Sequence, residues 1–209
     1  MRRPGGIVGT QVSTLGIAVL ACLFERPMHP YEMYQLLLER NDDRLLKVRP
    51  GSLYHAVDRL AAADHIVAVG TEREGNRPER TTYDVTQSGR DALTSTLRTL
   101  LATPVPEYSQ FTLALSESHN LPAAEVSALV RERIAHLGKD LDEMRIMTAA
   151  ITARHSPRLF SVGLEYTVAL REAELAWLRA FVDDIDTGRL PWLDAIIAEK
   201  HHHMTRQDR

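Results

Sequence analysis

Apolar residues recur every three or four positions through most of this chain, and that rhythm breaks at one place in the first half. The helical period runs through about Ser13 to Glu25, Tyr31 to Arg40 and Gly51 to Ala63. Val67 and Val69, then Tyr83 and Val85 after a polar loop, instead alternate with polar or small residues, which predicts two half-buried strands. The loop "REGNRPE" joins them, with Gly75, Asn76 and Pro78 supplying turn chemistry. Thr86 then stands where an N-cap belongs, ahead of a helix from about Gln87 to Leu101. Three helices, a hairpin and a helix make a winged helix-turn-helix plan.

The stretch "ATPVPEYS", Ala102 to Ser109, stops the helical pattern, because its two closely spaced prolines forbid helix continuation. Helical patterns resume over about Gln110 to His119, Ala123 to Ala153 and Arg158 to Thr187, with a short end from Trp192. The expected fold class is therefore mainly α: an N-terminal winged helix-turn-helix with a two-stranded wing, followed by a helical C-terminal dimerisation domain. The expected boundaries are a flexible arm over 1–11, the winged domain over 12–102, a linker over 103–109, the helical domain over 110–200 and a flexible tail over 201–209.

The third helix, opening with "RPGSLYHAVDRL", divides its residues between two sides. At 100° per residue Leu53, Val57, Leu60 and Asp64 form one stripe, and the first three fix the helix to a core. Ser52, His55 and Arg59 lie opposite, with Tyr54 on the flank. Pro50 suits the first helical position, and Gly51 leaves room for the close approach of another backbone. A helix start placed in a major groove offers its dipole to phosphates while short polar and Arg side chains reach base edges. The wing loop adds Arg73, Arg77 and Arg80, which can straddle a phosphate backbone; Glu72, Glu74 and Glu79 partly offset them.

In the second half, Leu164, Val168, Leu175, Leu178, Val182 and Ile185 fall on a heptad-like seam, interrupted by Arg171. Leu170, Trp177 and Phe181 form a second stripe. Two apolar faces require two partners. The preceding long helix, through Val126, Val130, Leu137, Leu141, Met144 and Ile151, is one; a second subunit is the other. The Leu164 to Ile185 seam is the expected dimerisation surface. Trp177 and Trp192, the two tryptophans, are candidate stacking residues for an aromatic effector, or else packing residues.

Composition narrows function mainly by exclusion. The net charge of −3 argues against indiscriminate nucleic-acid binding, while a near-neutral first half permits a local basic patch. No apolar run reaches membrane-spanning length and the start does not read as a signal peptide, so no membrane contact and a cytoplasmic location are expected. Cys22 sits in an apolar stretch and reads as an inert buried thiol. No nucleophile elbow, HExxH spacing, P-loop or dinucleotide fingerprint occurs, so the expectation is no enzyme, no cofactor and no metal. His201 to His203 read as a solvated tail.

Together, "LKVRPGSLYHAVDRLAAADHIV", "NRPERTTYDVTQSGRDAL" and "HPYEMYQLL" resemble the PadR-type transcriptional regulators across about residues 12–102. The shared features include Pro50 and Gly51 before Ser52, Leu53 and Tyr54, then Arg77, Pro78, Arg80, Tyr83, Thr86 and Gly89 in order, with Tyr31 in the second helix. Three positions depart from the pattern: Pro30, Asp64 and Asn76 each replace a glycine, and Asp64 stands where the left-handed backbone region is often needed. The resemblance implies a homodimeric repressor, of the longer subgroup with a helical C-terminal domain. It would read a pseudo-palindromic double-stranded operator and be released by a small aromatic or drug-like effector or by a cellular stress. The expected DNA-contacting residues are Tyr31, Lys47, Arg49, Gly51, Ser52, Tyr54, His55, Arg59, Arg73, Arg77 and Arg80. The alternative is a winged-helix scaffold whose outward third-helix face docks a partner protein and reads no DNA.

Overall fold

The computed structural model describes residues 12–72, 80–154 and 156–193. The arm, the tail and the wing loop with Arg73, Asn76 and Arg77 lie outside the described residues. The chain divides into two compact units, Met1–Pro106 and Glu107–Arg209.

The first unit runs α1 (Thr14–Glu25), α2 (Pro30–Glu39), a 3-10 turn (Asp42–Arg44), α3 (Pro50–Ala62), β1 (Ile66–Glu72), β2 (Arg80–Val85) and α4 (Gln87–Ala102). Val19, Leu20 and Leu23 of α1, Met33 and Leu37 of α2, and Leu53 and Val57 of α3 meet in a core closed to solvent. Full burial of each such side chain contributes about 1.5–3 kcal/mol, which is what holds three short helices together. Cys22 belongs to the same core, and burial pushes its thiol up to about 11, so it stays protonated and unreactive.

Side-chain caps set three of the helix starts. Ser13 Oγ accepts from the Gly16 N–H at 3.2 Å, and Thr86 Oγ1 accepts from the Gly89 N–H at 3.1 Å. Pro30 occupies the first turn of α2, where its missing N–H costs nothing. The N–H of Tyr31 donates to Nδ1 of the preceding His29 at 3.1 Å, while the His29 N–H donates to Glu32 at 2.9 Å.

α3 ends before Asp64, which is exposed and does not extend the buried stripe. Its φ is 56°, in the left-handed region. The His65 N–H returns to the Leu60 carbonyl and the Asp64 N–H to that of Ala61, a Schellman closure with aspartate in the usual glycine position. Thr86 then ties this corner to α4, its hydroxyl donating to the Asp64 carbonyl at 2.7 Å.

The strands pair antiparallel, with the register shifting between Ala68 and Gly70. Val85 is buried and Tyr83 half-buried, but Val67 and Val69 are half exposed, at 50% and 54%, which corrects the alternation expected of them. Ile66 is the inward residue of β1. The reason is that only the base of the ribbon meets the core. That base is stitched to the start of α2 by paired 3.0 Å backbone hydrogen bonds between Met28 and Tyr83.

The second unit comprises α5 (Gln110–Ser116), a 3-10 turn (Ser118–Asn120), α6 (Ala123–Ala153), a 3-10 turn (Arg158–Phe160) and α7 (Val162–Asp186). α6 and α7 form an antiparallel pair. Leu178 and Val182 pack with Val126 and Val130, and Leu141, Met144 and Leu175 are also closed to solvent. Ion pairs cross the pair at Arg133–Glu174 (2.8 Å), Arg171–Asp140 (3.4 Å) and Arg145–Glu172 (2.6 Å), with Arg131–Asp186 near its end. Arg171 thus interrupts the apolar seam because it meets α6 by charge.

Within the chain, the centre of the Leu164 to Ile185 seam packs against α6. Leu175, Leu178 and Val182 are buried within one chain, and Leu164, Val168 and Ile185 are half-buried beside them. A single chain already covers the centre of that seam. The outward face of α7 instead presents Val162, Tyr166, Leu170 and Trp177, each between 48% and 67% exposed.

Candidate nucleic-acid interface

Among α1 to α4, α3 alone starts without a side-chain cap. Its N-cap is Arg49, which makes no such bond, and Pro50 brings no N–H. The first backbone closure is from the Leu53 N–H to the Arg49 carbonyl at 3.0 Å, so the N–H groups of Gly51 and Ser52 are left for an acceptor from outside. A Cβ on Gly51 would meet nothing within 4 Å. The glycine serves no packing need inside the chain, yet it lowers helix propensity by about 1 kcal/mol relative to Ala.

Four positive charges around this open helix start have no ion-pair partner among the described residues. Lys47, Arg49 and Arg59 are exposed, and among the described residues none of them, nor Arg80 on β2, forms an ion pair. Arg26 and Arg40 of the same unit do, with Glu32 and Glu25. In the second unit Arg131, Arg133, Arg145, Arg158, Arg171 and Arg189 are all paired. Free cations beside free N–H donors are what a polyanion backbone requires.

Ser52, Tyr54, His55 and Arg59 are all exposed, as their spacing predicts, but they are not equivalent. Arg59 and Ser52 lie on the flank toward the start of α1, where Arg59 lines a groove with Val12 and Ser13. Tyr54 lies on the other flank, its ring edge-on to His29 with centroids 6.5 Å apart. Tyr31, 53% exposed, follows in the first turn of α2.

Two residues of this surface were not singled out by the sequence pattern. His29 caps α2, touches Tyr54 and feels the charge of Arg80, so it joins three elements of the surface. Burial, then the Arg80 charge, hold its imidazole below the usual histidine value, against the opposing pull of Glu32. Its Nδ1 is an acceptor in this arrangement, which requires the neutral ring with the proton on Nε2. Asp58 is the other: exposed on α3, between His55 and Arg59 in the chain's outward set. Its signal was present, since it lies opposite Leu53 and Val57 on the helical wheel.

The tryptophans do not share a pocket. Trp177 stacks on Phe181, with centroids 5.3 Å apart and planes 10° from parallel, and lines an open groove of about 500 Å³ with Phe111 and Arg133. Trp192 donates its indole N–H to the Leu121 carbonyl at 2.7 Å and packs against the core of α6 and α7. No helix among the described residues is long and apolar enough to cross a membrane, and no group of metal-ligating side chains is found among them.

Residues 19–95 match the model of the family described as "Transcriptional regulator PadR-like family". No curated protein sequence matches the chain. Among solved structures, the fold is similar to that of Bacillus subtilis PadR in complex with operator DNA, with 20% identity, a TM-score of 0.68, and coverage of 83% of this chain and 99% of that one. The Bacillus subtilis PadR structure in complex with p-coumaric acid gives 19% identity and a TM-score of 0.68, again covering 83% and 99%. The Vibrio cholerae virulence activator AphA gives 18% identity and a TM-score of 0.67, with the same coverage. At these identities the likeness establishes the fold.

Proposed function

We propose that this chain, whose residues 19–95 match the model of the PadR-like family of transcriptional regulators, is a homodimeric regulator, acting as a repressor in the cytoplasm, that reads a pseudo-palindromic operator with two copies of α3. The observation that carries the reading is the uncapped start of α3 set among the unpaired cations Lys47, Arg49, Arg59 and Arg80. In this proposal the Gly51 and Ser52 N–H groups receive a phosphate, and Tyr31, Lys47, Arg49 and Arg80 hold the backbone. His55 and Tyr54 enter the major groove, and Arg59 reaches base edges from its flank. Arg73 and Arg77 of the wing loop extend the grip on phosphate. A two-fold protein places its half-sites about one helical turn, roughly 34 Å, apart or a multiple of it.

The outer stripe of α7, Tyr166, Leu170 and Trp177, supplies the apolar surface for the second subunit, since the inner seam is occupied by α6. An aromatic or drug-like effector is assigned to the groove beside Trp177, Phe111 and Arg133, which combines ring faces with a cation. Trp192 serves packing in this reading.

Titration of the full chain with duplexes from upstream of its own coding sequence, at several salt concentrations, tests the proposal. Operator binding with a steep salt dependence is expected; Arg80→Ala should reduce the log–log slope by about 0.9 for each phosphate that Arg80 neutralises. Arg59→Ala should weaken binding to the preferred sequence by ~1–3 kcal/mol. A folded protein with no affinity for any duplex would favour the protein-docking scaffold instead. A reporter driven by the bound promoter, with and without the protein, distinguishes a repressor from an activator.

A further inference from the structure

The face of α3 that points straight away from the core is narrower than its exposed set. Leu53, Ala56, Val57 and Leu60 are buried. On a helix turning 100° per residue, the line opposite their centre runs through Gly51, His55, Asp58 and Ala62, all four exposed. Arg59 and Tyr54 fall to either side of that line. A helix laid in a groove with this face down therefore aims two functional side chains at the floor, His55 and Asp58, while Arg59 and Tyr54 approach from the two flanks.

Asp58 is the unexpected one. A carboxylate beside a polyphosphate lowers affinity, and no internal bond accounts for it, since among the described residues it has neither an ion pair nor a hydrogen bond from a side chain. It also sits one residue before the unpaired Arg59 without bonding to it. An ionised carboxylate only accepts hydrogen bonds. On the floor of the major groove guanine offers N7 and O6 and thymine O4, all acceptors, which a carboxylate repels. Adenine offers a donor, N6, but with acceptors on both sides, its own N7 and the paired thymine O4, whereas the cytosine N4 donor has an acceptor on one side only, the O6 of its paired guanine.

We infer that Asp58 is a specificity-determining residue that selects a cytosine in each half-site by accepting a hydrogen bond from its N4 amino group. This rests on the proposed reading of α3 as the DNA-reading helix. Asp58 then acts mainly by discrimination: it is paired on the correct base and unpaired, next to phosphate and acceptor edges, everywhere else. Specific binding tolerates the carboxylate, and non-specific binding is penalised by it.

Selection of bound duplexes from a randomised pool, by the full-length wild type, Asp58→Asn and Asp58→Ala, tests the inference, followed by titration of the selected duplex and its single-base variants. Asp58 is exposed, so neither substitution disturbs the core; circular dichroism checks this for both. The wild type should fix one cytosine per half-site, preferring it roughly five- to a hundredfold over the other bases. Both variants should lose that preference at that one position, keep the others, and bind unrelated DNA more tightly. A wild type that selects a sequence which both folded variants select unchanged would overturn the role of Asp58 and leave the reading of α3 standing. A wild type that enriches no sequence at all would overturn the reading of α3, and the role of Asp58 with it.

Discussion

A methyl group placed on Gly89 would overlap the backbone carbonyl oxygen of His65. Gly89 is buried in the first turn of α4, and that carbonyl also accepts the Thr86 N–H at 3.0 Å, so α4 starts directly against the chain that leaves α3. Because the neighbour is backbone, Gly89→Ala can be accommodated only by moving α4 or the wing base. We expect a decrease of about 1–3 kcal/mol in stability, read as a lower denaturant midpoint. Ser95→Ala, at an exposed position of the same helix, should cost much less.

Asp64 holds a φ of 56° at the close of α3. Glycine has no Cβ to clash there, so Asp64→Gly should hold or slightly raise stability, whereas Asp64→Ala should lower it by about 1 kcal/mol. Equal midpoints for the two variants in thermal unfolding would show that the left-handed conformation is relieved at no cost.

His29 gives the first unit a pH dependence. Its folded value lies below the ordinary histidine value of about 6.5, so in acid the unfolded chain takes up a proton that the folded chain refuses. The contribution is full above about pH 6.5 and is lost as pH falls to the lowered value. Denaturation midpoints at pH 7.5 and pH 5 should therefore differ, and His29→Asn, which keeps a capping acceptor without a titrating ring, should shrink the difference.

The two faces of α7 can be told apart by placing one charge on each. Leu178 is fully buried against α6, so Leu178→Asp should cost more than about 3 kcal/mol and abolish the helical signal of the second unit. Tyr166, 67% exposed, can become Asp without touching that core. Tyr166→Asp should keep its helicity and sediment as a monomer, with operator affinity reduced. A dimeric Tyr166→Asp protein would place the subunit surface elsewhere.

What the sequence made legible was local. Pro50 and Gly51 ahead of a helix with Leu53, Val57 and Leu60 on one side are written in a stretch shorter than three turns, and the structure has that helix at Pro50–Ala62. The left-handed turn at Asp64 was legible only through the family resemblance, as the position of a replaced glycine, since helical spacing alone puts Asp64 on the apolar stripe. The choice between the two stripes of α7 was not, because both have helical spacing. It is made by Asp140, Arg133 and Arg145 meeting Arg171, Glu174 and Glu172, pairings across a hairpin that no period within one helix encodes. Val67 and Val69 alternate as a buried strand would, and only the protrusion of the ribbon exposes them. His29 gains its place from Tyr54 and Arg80, which folding brings to it.

The absence of a cap on α3 has a thermodynamic side. No side chain caps the Gly51 and Ser52 N–H groups, so in the reading proposed above they gain a protein-external acceptor only on docking. In that reading an incoming phosphate would complete the cap, part of the ordering of the first turn would be deferred until docking, and its entropic cost would appear in binding and not in folding. Calorimetry of operator binding should then show favourable enthalpy set against unfavourable entropy, and affinity should fall as temperature rises.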